Sequence, residues 1–145
     1  MNPYKFCISL RFSGVGFEPE AISTALSLIP KHSWKNGDPI INPPNTASRG
    51  NRRKSYWSHR FETEDHADLE SSLSVVLALL LPHRLFLQGL ASSGIDIQLF
   101  IGLFGDENYG FTITPTHSKD LAELGVEMGF DVYPFSDSNP QSEPL

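Results

Sequence analysis

The sequence predicts an α+β domain: a mainly antiparallel sheet of about five strands with two or three helices on one face, ferredoxin-like or an elaboration of it. Three observations carry this. Five segments alternate apolar and polar side chains with the period of two of a half-buried strand. The segments between them place apolar residues at helical spacing. Each strand has only one apolar face, so the helices should cover one side of the sheet and leave the other open.

The first strand is YKFCISLRF, residues 4–12, with Tyr4, Phe6, Ile8, Leu10 and Phe12 on one face. A turn, SGVG, leads to a helix over 19–28: Pro19 suits a first turn, Glu18 and Glu20 complement its positive end, and Ile22, Leu26 and Ile29 share a stripe with Ala25. Residues 30–54 have no periodic segment and read as one long loop. Trp34 within it reads as an anchor, with Gly37 and Asp38 making a turn and 45–54 left mobile. SYWSHRFET, residues 55–63, alternates again, with Trp57, His59 and Phe61 inward.

A long helix should follow from about Asp65 to Leu81, capped by Thr63 or Asp65, with Leu69, Leu73, Val76, Leu77 and Leu80 as its core stripe. Pro82 should kink or break it, and HRLFLQGL should add a turn or two, ending near Gly89 or Gly94. Residues 95–104 and 109–115 read as an antiparallel hairpin around GDEN. Ser118 can cap a short third helix that ends at Gly125, and 126–134 gives a last strand with Val126, Met128, Phe130 and Val132 inward. The Pro-rich tail, 135–145, is expected to be disordered, so the domain is residues 1–134.

The chain has 145 residues, 39% of them apolar, enough for one domain with a core. Cys7 is the only cysteine, so no intrachain disulfide can form. The N-terminus lacks the features of a signal peptide, and the longest apolar run, 75–81, is far short of the roughly 20 residues of a membrane span. The expectation is a soluble, cytoplasmic protein with no membrane partner. Residues 31–60 hold seven basic side chains against Asp38, a net +6, in a chain of net −6; the remainder carries −12. Such a body repels nucleic acid and attracts basic proteins.

FEPEAISTALSLIP, then WKNGD at 34–38, then a second tryptophan in SYWSHRF, then Asp68-Leu69-Glu70 opening a long helix, then FDVY at 130–133, form an ordered set. In that order and spacing the chain resembles the DUF4279 family of bacterial domains of unknown function, over roughly residues 4–133. The resemblance implies no activity. Some relatives resemble immunity proteins of bacterial toxin systems, which would imply a toxin as partner.

No catalytic constellation is legible. None of the five histidines pairs with another at a helical metal-site spacing, and one cysteine makes no thiolate cluster, so no metal and no cofactor are expected. Cys7, His59 or Arg60 could serve an unrecognised enzyme only across the open sheet face. Glycines 14 and 16 precede a helix start whose Glu18 and Glu20 would repel a phosphate. The reading is a non-catalytic protein-binding module, with Trp34, Arg49, Arg52, Arg53, Lys54, Tyr56, Arg60, Phe100 and Tyr133 as candidate contacts, a basic toxin as one partner and a second copy of the chain as another. The alternative is nucleic-acid binding through the basic loop 49–54 and the open face.

Overall fold

The computed structural model describes residues 4–41, 48–64 and 67–134, apart from the side chains of residues 48 and 49. It is α+β. The strands are β1 (Lys5–Gly14), β2 (His32–Trp34), β3 (Pro39–Ile41), β4 (Ser48–Asn51), β5 (Ser55–Phe61), β6 (Asp96–Phe104) and β7 (Glu127–Tyr133). The helices are α1 (Pro19–Leu26), α2 (Leu69–Leu80), α3 (Arg84–Ser92) and α4 (Pro115–Leu124). A 3₁₀ turn over Leu81–His83 joins α2 to α3. The three pieces run as one helical rod, Leu69–Ser92, with Pro82 at the junction, where a proline removes a helix bond.

Five strands form one sheet in the order β2-β5-β1-β6-β7, and β3 and β4 form a separate two-stranded ribbon. β1 is central and antiparallel to both β5 and β6. β7 runs parallel to β6, which requires the crossover that α4 supplies. The expected hairpin is therefore absent: residues 109–114 make no strand, and β6 takes the distant 127–133 as its second neighbour. The sheet is thus mixed, with one parallel pair, and a ferredoxin-like fold is not confirmed.

The expected one-sided burial holds. Ile8, Leu10 and Phe12 of β1, Trp57 and Phe61 of β5, and Ile97, Leu99, Ile101 and Leu103 of β6 are buried under the helices. Leu69, Leu73, Val76, Leu77 and Leu80 of α2 meet them, all buried as their spacing predicts. By length and composition the rod is apolar enough to cross a membrane, and its Leu69–Leu80 stripe belongs to the core cluster. Trp57 Nε1 donates to Ser23 Oγ at 2.9 Å and ties β5 to α1.

Several boundaries differ from expectation for local reasons. Ser27 enters the left-handed region (φ 56°) and ends α1 before Ile29, which is 83% exposed instead of lying in the helix stripe. Asp68, not Thr63 or Asp65, caps α2, its Oδ1 accepting from Ser71 N–H at 2.7 Å; Asp65 lies outside the described residues. Thr114, not Ser118, caps α4, with Pro115 in the first turn and His117 completing a capping box.

The stretch 30–54 is not one loop. β2 pairs with the edge of β5, and β3 pairs with β4. Three-residue strands leave no readable period, but their backbone groups still need partners, and the β5 edge offers them. Ser48–Asn51, expected to be mobile, is strand; residues 45–47 and the tail 135–145 lie outside the described residues.

Candidate partner-binding face of the sheet

Strand alternation sends a second set of side chains away from the helices, and the register arranges them in rows across the sheet. Trp34, Tyr56, Ser13 and Asp96 make one row; His32, Ser58, Arg11, Gln98 and Glu127 the next. Arg60, Ser9, Phe100 and Gly129 follow, then Cys7, Gly102 and Asp131, then Lys5, Phe104 and Tyr133. Among the described residues no helix covers these rows. The face is nevertheless not bare, because Cys7, Ser9, Ser58, Phe100 and Phe104 are buried there among longer neighbours.

The aromatic rings on this face are already stacked by the chain itself. Trp34 lies on Tyr56, centroids 4.7 Å apart at 23°, and the Arg52 guanidinium sits 3.8 Å from the Trp34 centroid. The Arg11 guanidinium stands 3.7 Å from the Phe100 centroid. Phe104 and Tyr133 stack at 4.8 Å and 6°. The Tyr133 hydroxyl donates to Asp131 Oδ2 at 2.6 Å. Burial first, and then this hydrogen bond to a carboxylate, push the Tyr133 phenol up to about 12.

The ribbon is fixed at its base. Gly37 N–H donates to Arg52 C=O (2.8 Å) and Arg52 N–H to Asp38 C=O (2.7 Å). Gly37, at φ 97°, occupies the turn position that favours glycine. Asn36 N–H donates to Ser55 Oγ, whose hydroxyl returns a bond to Asn36 Oδ1, both at 2.9 Å. The Lys35 ammonium meets Glu18 at 2.7 Å, and that carboxylate holds the ammonium above its usual range.

The nine sequence-predicted contact residues therefore separate. Trp34, Tyr56 and Arg52 form one cluster at the β2 edge. Arg60 and Phe100 lie in the central row, with Arg11 in the row beside them. Tyr133 is on β7, four strand spacings from β2, roughly 19 Å away. Arg53 and Lys54 are exposed in the bend after β4, and the Arg49 side chain lies outside the described residues. Arg11, which caps Phe100, was not among the nine, although strand parity already put it on this face. Arg60 carries one guanidinium nitrogen, Nη1, and Ser58 a hydroxyl, both buried and without a hydrogen-bond partner among the described residues.

A serine–histidine pair occurs elsewhere, in a shallow cleft of about 420 Å³ between α2 and α4. His117 Nε2 and Ser74 Oγ are 2.8 Å apart. Thr114 N–H points at His117 Nδ1 (3.5 Å), so Nδ1 accepts and Nε2 carries the proton. Ser74 in turn donates to Glu70 C=O (3.1 Å). The histidine thus donates a hydrogen bond to the serine oxygen instead of accepting one, the reverse of a nucleophile–base pair. Among the described residues no three His, Cys, Asp or Glu side chains lie close enough to hold a metal ion.

The fold and this face define a small α+β domain with a one-sided sheet. The family model for DUF4279, a domain of unknown function, matches residues 2–135 of the 145, and the chain belongs to that family. No curated protein and no solved structure matches it.

Proposed function

We propose that this chain is a non-catalytic protein-binding module that engages its partner through the helix-free face of the sheet. The observation that carries the reading is the aromatic–arginine cluster at the rim of that face, Tyr56–Trp34–Arg52, held on a ribbon braced at its base. Tryptophan, tyrosine and arginine are the side chains over-represented in the energetic centres of protein contacts, and ordering them in advance lowers the entropy cost of binding.

The same geometry favours a protein over nucleic acid. Base stacking needs a free ring face, whereas Trp34 is occupied by Arg52 and Tyr56, Phe100 is capped by Arg11, and Phe104 is stacked by Tyr133. Asp96, Glu127 and Asp131 share the face with the arginines and would repel a phosphate backbone. A partner with both signs of charge fits this mixed surface better, and the chain's net −6 favours one that is basic overall.

The test is affinity capture at physiological salt with wild type, with the double variant Trp34→Ala/Arg60→Ala, and with Leu85→Asp, which alters the exposed helical side. One protein retained by wild type and Leu85→Asp but lost from the double variant is the expected result. Retention of RNA in place of protein, or equal retention by all three, overturns the reading.

A further inference from the structure

β7 is an edge strand of seven residues with β6 as its neighbour on one side and no described strand on the other. Its helix-side residues are only partly covered: Phe130, although Phe111 stacks on it at 5.6 Å, is 44% exposed, and Val132 is 60% exposed. Gly105 N–H donates to Tyr133 C=O at 3.2 Å, so Tyr133 turns its backbone toward β6. By the two-residue alternation of a parallel ladder, Glu127, Gly129 and Asp131 do the same. Met128, Phe130 and Val132 therefore turn their N–H and C=O groups outward. The most apolar residues of the strand are also the ones with backbone groups to offer.

We propose that β7 is a homodimer interface, pairing antiparallel with β7 of a second copy about a two-fold axis through Phe130. In that register all seven residues pair. Met128, Phe130 and Val132 meet Val132, Phe130 and Met128 of the second copy, outward backbone group against outward backbone group, and the exposed apolar side chains cover one another. Gly129 faces Asp131, and Glu127 faces Tyr133, so no like charges oppose. Moving the two-fold axis by one residue toward either end sets Glu127 against Asp131, or Asp131 against its own copy, which is unfavourable for directly opposed side chains. A half-residue shift sets an outward-turned backbone against one turned to β6. The strand is thus complementary to itself in one central register. An edge this long and apolar, without lysine or an internal proline, is the kind that pairs. The product is a continuous ten-stranded sheet with both helical layers on one side and both partner-binding faces on the other.

Sedimentation of the full chain over a dilution series tests this. The expected mass at high concentration is twice the 16.1 kDa of one chain. Val132→Pro removes an outward N–H without touching the ladder to β6, and Phe130→Lys places charge on the axis; each should halve the mass while the circular dichroism stays folded. Amide exchange should show Met128, Phe130 and Val132 protected in wild type and unprotected in Phe130→Lys. A single-chain mass at every concentration overturns the proposal, even with those amides protected, since residues of the same chain would then be covering the edge. Persistence of the dimer in both variants overturns it as well.

Discussion

The Arg52 guanidinium lies over the Trp34 ring, 3.8 Å from its centroid, and the same ring stacks on Tyr56. This contact joins the ribbon to the five-stranded sheet through a side chain as well as through the backbone. Arg52→Ala should cost at most about 1 kcal/mol of global stability, the scale of a solvent-exposed cation–π contact. Its larger effect should be local. Amide exchange at Gly37 and Arg52 should speed up, and Trp34 fluorescence should shift to the red as water reaches the ring. Unchanged exchange at both amides would show that the backbone bonds alone hold the ribbon.

Ser23→Ala should destabilise the fold by about 1–3 kcal/mol, because it leaves the indole N–H of fully buried Trp57 without its acceptor. Urea unfolding should show a lower midpoint with the same slope. A change under a few tenths of a kcal/mol would mean that the indole finds another acceptor.

Gly102 faces Cys7 across the β1–β6 ladder, and a Cβ at Gly102 would stand 2.8 Å from Cys7 Sγ. Gly102→Ala should therefore cost about 1–3 kcal/mol through overpacking. Cys7→Ala removes the sulfur, so the double variant should recover much of that loss. A double-mutant cycle in urea measures the coupling. Additive effects would place the strain elsewhere.

Tyr133 gives a pH prediction. Its folded pKa, pushed up to about 12, exceeds the ordinary tyrosine value of 10.0, so the folded state favours the protonated phenol. Its contribution to stability is complete below pH 10 and is lost as pH rises from there through 12. Phenolate absorbance should show one tyrosine ionising near 12. Asp131→Asn should lower that midpoint only in part, since burial is the larger cause and the carboxylate the lesser one.

At the acid end, Asp68 is held below its usual range by its hydrogen bonds with Ser71. A depressed carboxylate stabilises above its unfolded pKa and loses that contribution as pH falls through the folded one. The start of α2 should thus fray below pH 3.8 in wild type. Asp68→Ala should remove that pH dependence, as followed by Leu69 and Ser71 amide exchange.

Much of the helix-free face was legible from alternation. Period two placed Arg11, Tyr56, Ser58, Arg60, Phe100 and Tyr133 on it, and the register agrees for each. The α2 stripe was equally legible, since a helix buries what its own spacing groups together. The β2–β4 strands were not, because three or four residues show no period. The stacking of Arg52 on Trp34 was also hidden: it joins positions 18 apart that meet only when β4 turns back beside β3.

The sequence by itself determined which side chains share a face, where net charge concentrates, and that only one side of the sheet can be covered by helices. Those are local properties, set by backbone geometry within a few residues. The tertiary structure decided that β7 joins β6 in parallel in place of a hairpin, that the aromatic rings are capped by the chain's own arginines, and that the ribbon is braced at its base. These outcomes depend on which distant backbone edges and side chains meet, and no short window of sequence contains both partners.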